Sequence, residues 1–241
     1  MLEAVAWGAL AASSLLIGAL IGALTPISKR VVGLVLGFGA GALISAVSFE
    51  LTEESLRLGG ADATAAGLAL GAFTFFAGDQ LLDRRGARNR QMVRDESEGS
   101  GTTLLLGALL DGLPESAVIG TTLIGGGEIG VAVVVAVFLS NLPEAIGGST
   151  GMRAAGASNR HVLLAWTAVV VACGAASGLG YALLDGASDS ALALLQSFAA
   201  GGVLVLLANS MIPDAKKQGG SLTGLFTVLG FALAALLSAV G

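Results

Sequence analysis

The chain contains few charged residues and almost no histidine or cysteine. Only 12% of its 241 residues are Asp, Glu, Lys or Arg, about half the share that a soluble domain carries. The single cysteine, Cys173, lies inside an apolar segment, so no disulfide can form within the chain. These absences argue against a soluble or disulfide-stabilised domain, and the 54% hydrophobic content indicates an integral membrane protein.

Apolar segments follow one another along the whole chain, which has a mean hydropathy of +0.85. Each is long enough to cross a hydrocarbon core about 30 Å thick. They lie near residues 4–25, 31–51, 61–82, 102–124, 129–150, 162–184, 190–211 and 221–240. The predicted fold class is therefore all-α: a single polytopic membrane domain over residues 1–241, with eight transmembrane helices.

The positions of the basic residues predict the orientation. Every Lys and Arg except Arg57 falls in an odd-numbered connector between the predicted spans. Because positively charged connectors stay in the cytoplasm, both termini are expected outside, with the protein in the cell membrane. The first span has Glu3 and no basic residue before it, so we expect a retained helix and not a cleaved signal peptide.

The longest connector, about 83–101, is polar and changes from basic to acidic along its length. Such a composition cannot bury much apolar surface, so we expect a mobile cytoplasmic loop. The many glycines inside the spans, by contrast, predict close contact between helices.

Three acidic residues lie within the fourth and fifth spans: Asp111, Glu115 and Glu144. An ionisable side chain at bilayer depth costs about 2.5–3.5 kcal/mol on insertion scales, so the three together cost on the order of 8–10 kcal/mol. No Lys or Arg occurs within these spans to neutralise them. The simplest compensating charge is a cation, and the simplest role for that cation is substrate.

Each of these spans also contains a Leu-Pro-Glu sequence. Asp111 and Glu115 are four residues apart and project from one helix face, as do Ser140 and Glu144, with Asn141 beside Glu144. Carboxylate, amide and hydroxyl oxygens are hard ligands for a divalent ion. An alternative remains open, in which the acids share protons and serve only to hold kinked helices together.

Weak internal symmetry relates segments on either side of this pair. Phe38-Gly39-Ala40-Gly41 in the second span resembles Phe198-Ala199-Ala200-Gly201 in the seventh, and the two spans run in opposite directions. The fourth and fifth spans share Leu-Pro-Glu in the same antiparallel manner. Antiparallel pairs of related helices predict inverted three-helix repeats around a central helix pair.

At these residues the chain resembles the ZIP (Zrt/Irt-like) family of metal-ion transporters. The family has a His-Asn-x-Pro-Glu-Gly motif in its fourth helix and a His/Gln-x-x-Pro-Glu motif in its fifth. Here the corresponding residues are Asp111 to Ser116 and Ser140 to Ala145. The resemblance implies an intramembrane metal site formed by Asp111, Glu115, Ser140, Asn141 and Glu144.

The chain departs from the family because Asp111 and Ser140 stand where histidine or glutamine is usual, and Gly112 where asparagine is. Zinc favours nitrogen and sulfur ligands, whereas manganese and magnesium accept an all-oxygen shell. We therefore expect a divalent cation transporter for zinc or a related ion such as manganese, iron or cadmium. It would move ions toward the cytoplasm by alternating access.

Two other functions remain open. One is a ZIP-like protein that binds metal without transporting it; the other is an intramembrane hydrolase that uses two carboxylates as an acid/base pair. The chain has no CxxC or HExxH motif, phosphate-binding Gly-rich loop or nucleophilic triad, so we do not expect an enzyme or a resident cofactor. The expected partners are divalent metal ions and the lipid bilayer, with no nucleic acid, and a homodimer is allowed for. Roles for Glu50, Asn209 and Asp214 stay open.

Overall fold

The structure, a computed structural model, describes residues 1–25, 27–82, 101–124 and 131–240. All regular elements in these ranges are helical, which confirms the predicted all-α class. The predicted mobile connector lies outside the described residues, except for Gly101, which begins a helix. The helices are α1 (Leu2–Leu24), α2 (Lys29–Ala46), α3 (Glu53–Leu82), α4 (Gly101–Thr121), α5 (Val131–Ala154), α6 (Asn159–Leu184), α7 (Asp189–Leu206), α8 (Ile212–Gly219) and α9 (Thr223–Val240).

Five continuous helical stretches in the described part of the chain are long and apolar enough to cross a membrane. Three are single helices of ordinary length, and the other two, Lys29–Gly78 and Asp189–Ala239, span 50 and 51 residues. A straight helix of about 50 residues would be roughly 75 Å long, more than twice the thickness of a hydrocarbon core. Each of the two long stretches contains a break.

The breaks occur at equivalent places in the two stretches. Gly60 (φ 71°) interrupts α3, and Gly220 (φ 73°) separates α8 from α9. Both adopt positive φ, which glycine tolerates because it has no Cβ. The two glycines are 160 residues apart, and both long stretches therefore have a positive-φ break at corresponding positions.

Two further features repeat at the same spacing. Ser28 and Ser188 are the N-caps of α2 and α7, and each side chain accepts a hydrogen bond from the backbone N–H three residues later. Both helices then widen into a π-helical segment at their carboxyl ends, Val47–Thr52 after α2 and Leu207–Met211 after α7. Wide turns of this type are rare and are enriched at functional sites.

The helix contacts also occur in matched pairs. Helix α1 packs on α5 as α6 packs on α4, α2 packs on α9 as α7 packs on α3, and α2 contacts α5 as α7 contacts α4. Helices α1 and α6 run antiparallel, since Ser177 Oγ donates a 2.7 Å hydrogen bond to the carbonyl of Ala4 while Gly174 lies against Ala9.

Glycines allow these pairs to approach to backbone contact. A Cβ on Gly41 of α2 would overlap the carbonyl oxygen of Thr227 of α9, and a Cβ on Gly230 of α9 would overlap that of Phe38. In the other pair, a Cβ on Gly71 of α3 would overlap the carbonyl oxygen of Phe198. The prediction that intramembrane glycines serve close helix packing is confirmed at these positions.

Apolar side chains occupy both the interior and the exterior of the bundle. One core cluster joins α2, α4, α5, α7 and α9, and a second joins α1, α5 and α6. Large apolar residues are also exposed along the outer faces, among them Phe73 at 72% and Val228 at 64%. Apolar surface on both sides of a helix is typical of a bundle that lipid surrounds.

Helix α8 is the polar exception within its stretch and separates the apolar segments 190–211 and 221–240. It carries Asp214, Lys216 and Lys217. The Asp214 side chain is only 5% exposed, and this burial raises the pKa of its carboxyl group to about 6, although the charge of Lys217 acts in the opposite direction.

We expect Gly230→Ala to destabilise the bundle by about 1–3 kcal/mol, because the added methyl group overpacks the contact between α2 and α9. Gly224→Ala is the matched control: it lies on the same helix, and a Cβ there meets nothing within 4 Å. The measurement is the free energy of unfolding in mixed detergent micelles. Equal effects of the two substitutions would contradict the backbone contact.

A second stability prediction concerns Asp214. Between pH 4 and 6 the carboxyl group of Asp214 ionises in the unfolded protein but holds its proton in the folded protein. Raising the pH therefore lowers the free energy of unfolding of the wild type. Asp214→Asn removes this penalty and should be more stable than the wild type at pH 7.5, with little difference at pH 4. Unfolding of both proteins at the two pH values measures this. A difference that does not change with pH would argue against it.

Candidate functional site

The predicted site residues lie on α4 and α5, near the middle of the bundle. Glu115 of α4 is 5% exposed, and on α5 Ser140 and Asn141 are 1% and 2% exposed. Glu144, one turn further along α5, is half-buried. A carboxylate that is this well buried requires neighbouring charges or hydrogen bonds to compensate for its lost hydration.

Cys173 lies on α6, the helix that packs against α4. The thiol is fully buried. Three packed helices, α4, α5 and α6, therefore carry two carboxyl groups and one thiol in the interior.

The contact between α4 and α6 is made possible by Gly112. A Cβ at this position would lie 3.1 Å from Cys173 Sγ, which is closer than ordinary van der Waals contact. Ser116 follows Gly112 by one helical turn and so lies on the same face of α4. The absence of a side chain at position 112 therefore leaves room for the sulfur.

The polar groups around the glutamates differ in how they are satisfied. Ser140 Oγ donates a 3.0 Å hydrogen bond to the carbonyl of Val137, one turn earlier in its own helix. Ser116 Oγ and Asn141 Nδ2 are buried and form no hydrogen bond of good geometry with any described atom. Buried polar groups without such bonds are uncommon in folded proteins and call for a functional explanation.

Asp111, the third predicted acid, is part of α4, but the structure does not describe its side chain. Among the side chains that are described, no group of three His, Cys, Asp or Glu residues is arranged to hold a metal ion. The described part of the site therefore consists of two glutamates, the Cys173 thiol and the buried Ser116, Ser140 and Asn141.

The other polar residues considered from the sequence lie elsewhere. Glu50 belongs to the π-helical segment Val47–Thr52, and Asn209 to Leu207–Met211. Asp214 follows on α8. These residues lie in the middle of the two long helical stretches, after the carboxyl ends of α2 and α7, whereas the glutamates belong to α4 and α5.

No model of a known protein family matches the chain, and a comparison with curated proteins finds no significant match. The resemblance of the α4 and α5 motifs to the ZIP family therefore stays a prediction.

Sequence reasoning missed Cys173 and Ser116. Cys173 was interpreted only as a residue within an apolar span, because the register between α4 and α6 cannot be read from one sequence. A signal was present in the single cysteine near the middle of its helix, at a depth similar to that of the glutamates.

The approach of α4 to α6 at the site can be tested with a double-mutant cycle. Gly112→Ala should lower stability because its Cβ presses on Cys173 Sγ, and adding Cys173→Ala should recover much of the loss. We expect a coupling energy on the order of 1 kcal/mol, since residues in direct contact are not additive. The measurement is unfolding of the four proteins in detergent. Additive effects would show that the two residues do not touch.

Proposed function

We propose that this protein transports divalent metal ions across the membrane, with Glu115 and Glu144 as the central ion ligands. The observation that carries the proposal is that α4 and α5, which pack together, each carry a glutamate in the interior, Glu115 buried and Glu144 half-buried. Two like charges in such a place repel each other, and a divalent cation between them relieves that repulsion. Asp111, Asn141 and Ser140 would complete the ligand set.

The distribution of basic residues supports a cation as substrate. Every described Lys, Arg and His side chain is exposed, and these residues lie near helix ends. The interior of the described bundle is thus acidic overall. Such a core attracts cations and disfavours anions.

The position of Cys173 bears on which ion is carried. An all-oxygen site suits manganese or magnesium, whereas a sulfur donor favours zinc and cadmium. Cys173 of α6, buried against Gly112 of α4, would supply the soft donor that the motifs on α4 and α5 lack. We therefore place zinc first and cadmium, iron and manganese after it.

The architecture we propose has eight transmembrane helices built from two inverted three-helix repeats around α4 and α5. Support comes from the N-caps, π-helical segments and positive-φ glycines that recur 160 residues apart, and from the matched helix contacts. The antiparallel contact of α1 with α6 is the relation that inversion requires. Inverted repeats allow one site to open to either side in turn.

The orientation we propose places both termini outside and the odd-numbered connectors in the cytoplasm of a cell-membrane protein. A backbone contact supports it: Gly33 lies against Gly219, so the first turn of α2 and the end of α8 belong to the same end of the bundle. Lys29 and Arg30 thereby share an end with Lys216 and Lys217. The positive-inside rule assigns this end to the cytoplasm.

The direct test is uptake of Zn²⁺, Cd²⁺, Fe²⁺ and Mn²⁺ into proteoliposomes. Glu115→Gln and Glu144→Gln should each reduce uptake at least about tenfold, which corresponds to about 1.4 kcal/mol of lost ion binding. Glu54→Gln is the matched control, because Glu54 forms a surface ion pair with Arg57. If either site variant folds and transports like the wild type, the two-glutamate site is wrong.

The same proteins distinguish transport from binding alone. Equilibrium binding of Zn²⁺ to the detergent-solubilised wild type, without uptake into proteoliposomes, would favour a metal-binding protein that does not transport. Uptake that depends on both glutamates supports transport.

A further inference from the structure

Gln196 is a buried amide in an otherwise apolar part of α7. Its side chain is 5% exposed, and its Oε1 atom is buried without accepting a hydrogen bond from any described atom. Leaving a buried polar atom unsatisfied costs about 1–3 kcal/mol. A residue with this cost is expected to be kept where its polar atom has a role besides packing.

The amide lies on the face of α7 that enters the main core. Ala199, Ala200 and Val203, at positions i+3, i+4 and i+7 from Gln196, all belong to the core cluster. The same cluster contains Val118 and Ile119 of α4, and α4 and α7 are in contact. Gln196 thus lies on the core-directed face of α7, the helix that packs against α4.

Three other helices around this core carry a similar polar group. Ser45 of α2, Ser116 of α4 and Asn141 of α5 are all at least 98% buried, and each has a side-chain atom without a hydrogen bond to a described atom. Each is near core residues of its own helix: Ala42, Ile119 and Val137 respectively. Buried polar atoms without a hydrogen bond to a described atom therefore occur on four helices around the core.

Packing alone does not require an amide at this position. The residue 160 positions earlier, at the equivalent place in α2, is Leu36, which is fully buried in the same core. Three residues after Leu36, Gly39 lies against Ser140, one turn before Glu144. The matched contact of α7 with α4 points to the corresponding place for Gln196, beside the α4 segment that holds Glu115.

We propose that Gln196 Oε1 supplies an oxygen ligand from α7 to the ion bound by Glu115 and Glu144, an inference that rests on the proposed function. Amide oxygens are common ligands of divalent cations and add no charge to the site. The ion would then contact α7 as well as the central pair α4 and α5.

The test is equilibrium binding of Zn²⁺ and of Mn²⁺, each alone, to the purified full-length protein. Gln196→Leu, which introduces the residue found at position 36, should weaken binding of both ions about tenfold. Gln196→Glu restores an oxygen donor and should bind at least as tightly as the wild type near pH 7. Gln196→His replaces the oxygen with a nitrogen donor and should raise the Zn²⁺ to Mn²⁺ affinity ratio.

Gln218→Leu is the matched control. Its Oε1 is also buried without a hydrogen bond to a described atom, but it lies against Gly33 at the end of the bundle, so metal binding should not change. The inference is overturned if Gln196→Leu binds both ions like the wild type while Glu115→Gln does not. Should the Leu variant fail to fold, an unchanged Zn²⁺ to Mn²⁺ ratio in folded Gln196→His overturns it instead. If both Glu115→Gln and Glu144→Gln bound the ions as tightly as the wild type, that result would instead contradict the proposed function.

Discussion

Backbone contact at glycine is the interaction on which the bundle depends. Helices surrounded by lipid gain little from burying apolar side chains against one another, so close van der Waals packing must hold them together. In this chain the carbonyl oxygens of Phe38 and Phe198 lie against glycines of α9 and α3, at equivalent places in the two long stretches. This packing holds α2 against α9 and α3 against α7, and the surrounding helices enclose α4 and α5.

Because α4 and α5 are enclosed, the described polar residues of the site are buried or half-buried. Carboxylates can be kept in a low-dielectric interior only if the surrounding helices hold polar partners or an ion in place. Gly112 lets α6 approach α4 closely enough for Cys173 to meet the site, while Gly39 does the same for α2 beside Ser140. Small residues therefore determine which side chains can reach the glutamates.

Much of the fold could be predicted from composition and pattern. The apolar segments near 4–25 and 162–184 correspond closely to α1 and α6. The π-helical segments were not predicted, because a widened turn depends on local hydrogen bonding that hydropathy does not record. The break at Gly60 falls at the end of the connector predicted between the apolar segments 31–51 and 61–82, although its positive φ was not predicted.

The site was predictable only where its residues are close in sequence. Glu144, Asn141 and Ser140 could be grouped from helical spacing, and the repeated Leu-Pro-Glu sequence linked α5 with α4. Cys173 could not be grouped with them, because its approach to α4 depends on how α4 and α6 are set against one another. One sequence contains the periodicity of each helix but not the register between helices.

The glycine contacts limit how the helices can move past one another. A backbone carbonyl oxygen lies against a glycine in both the α2–α9 and the α3–α7 pair. Where a carbonyl oxygen lies against a glycine, sliding by even a fraction of a helical turn brings atoms into collision, so the α2–α9 and α3–α7 pairs resist shear.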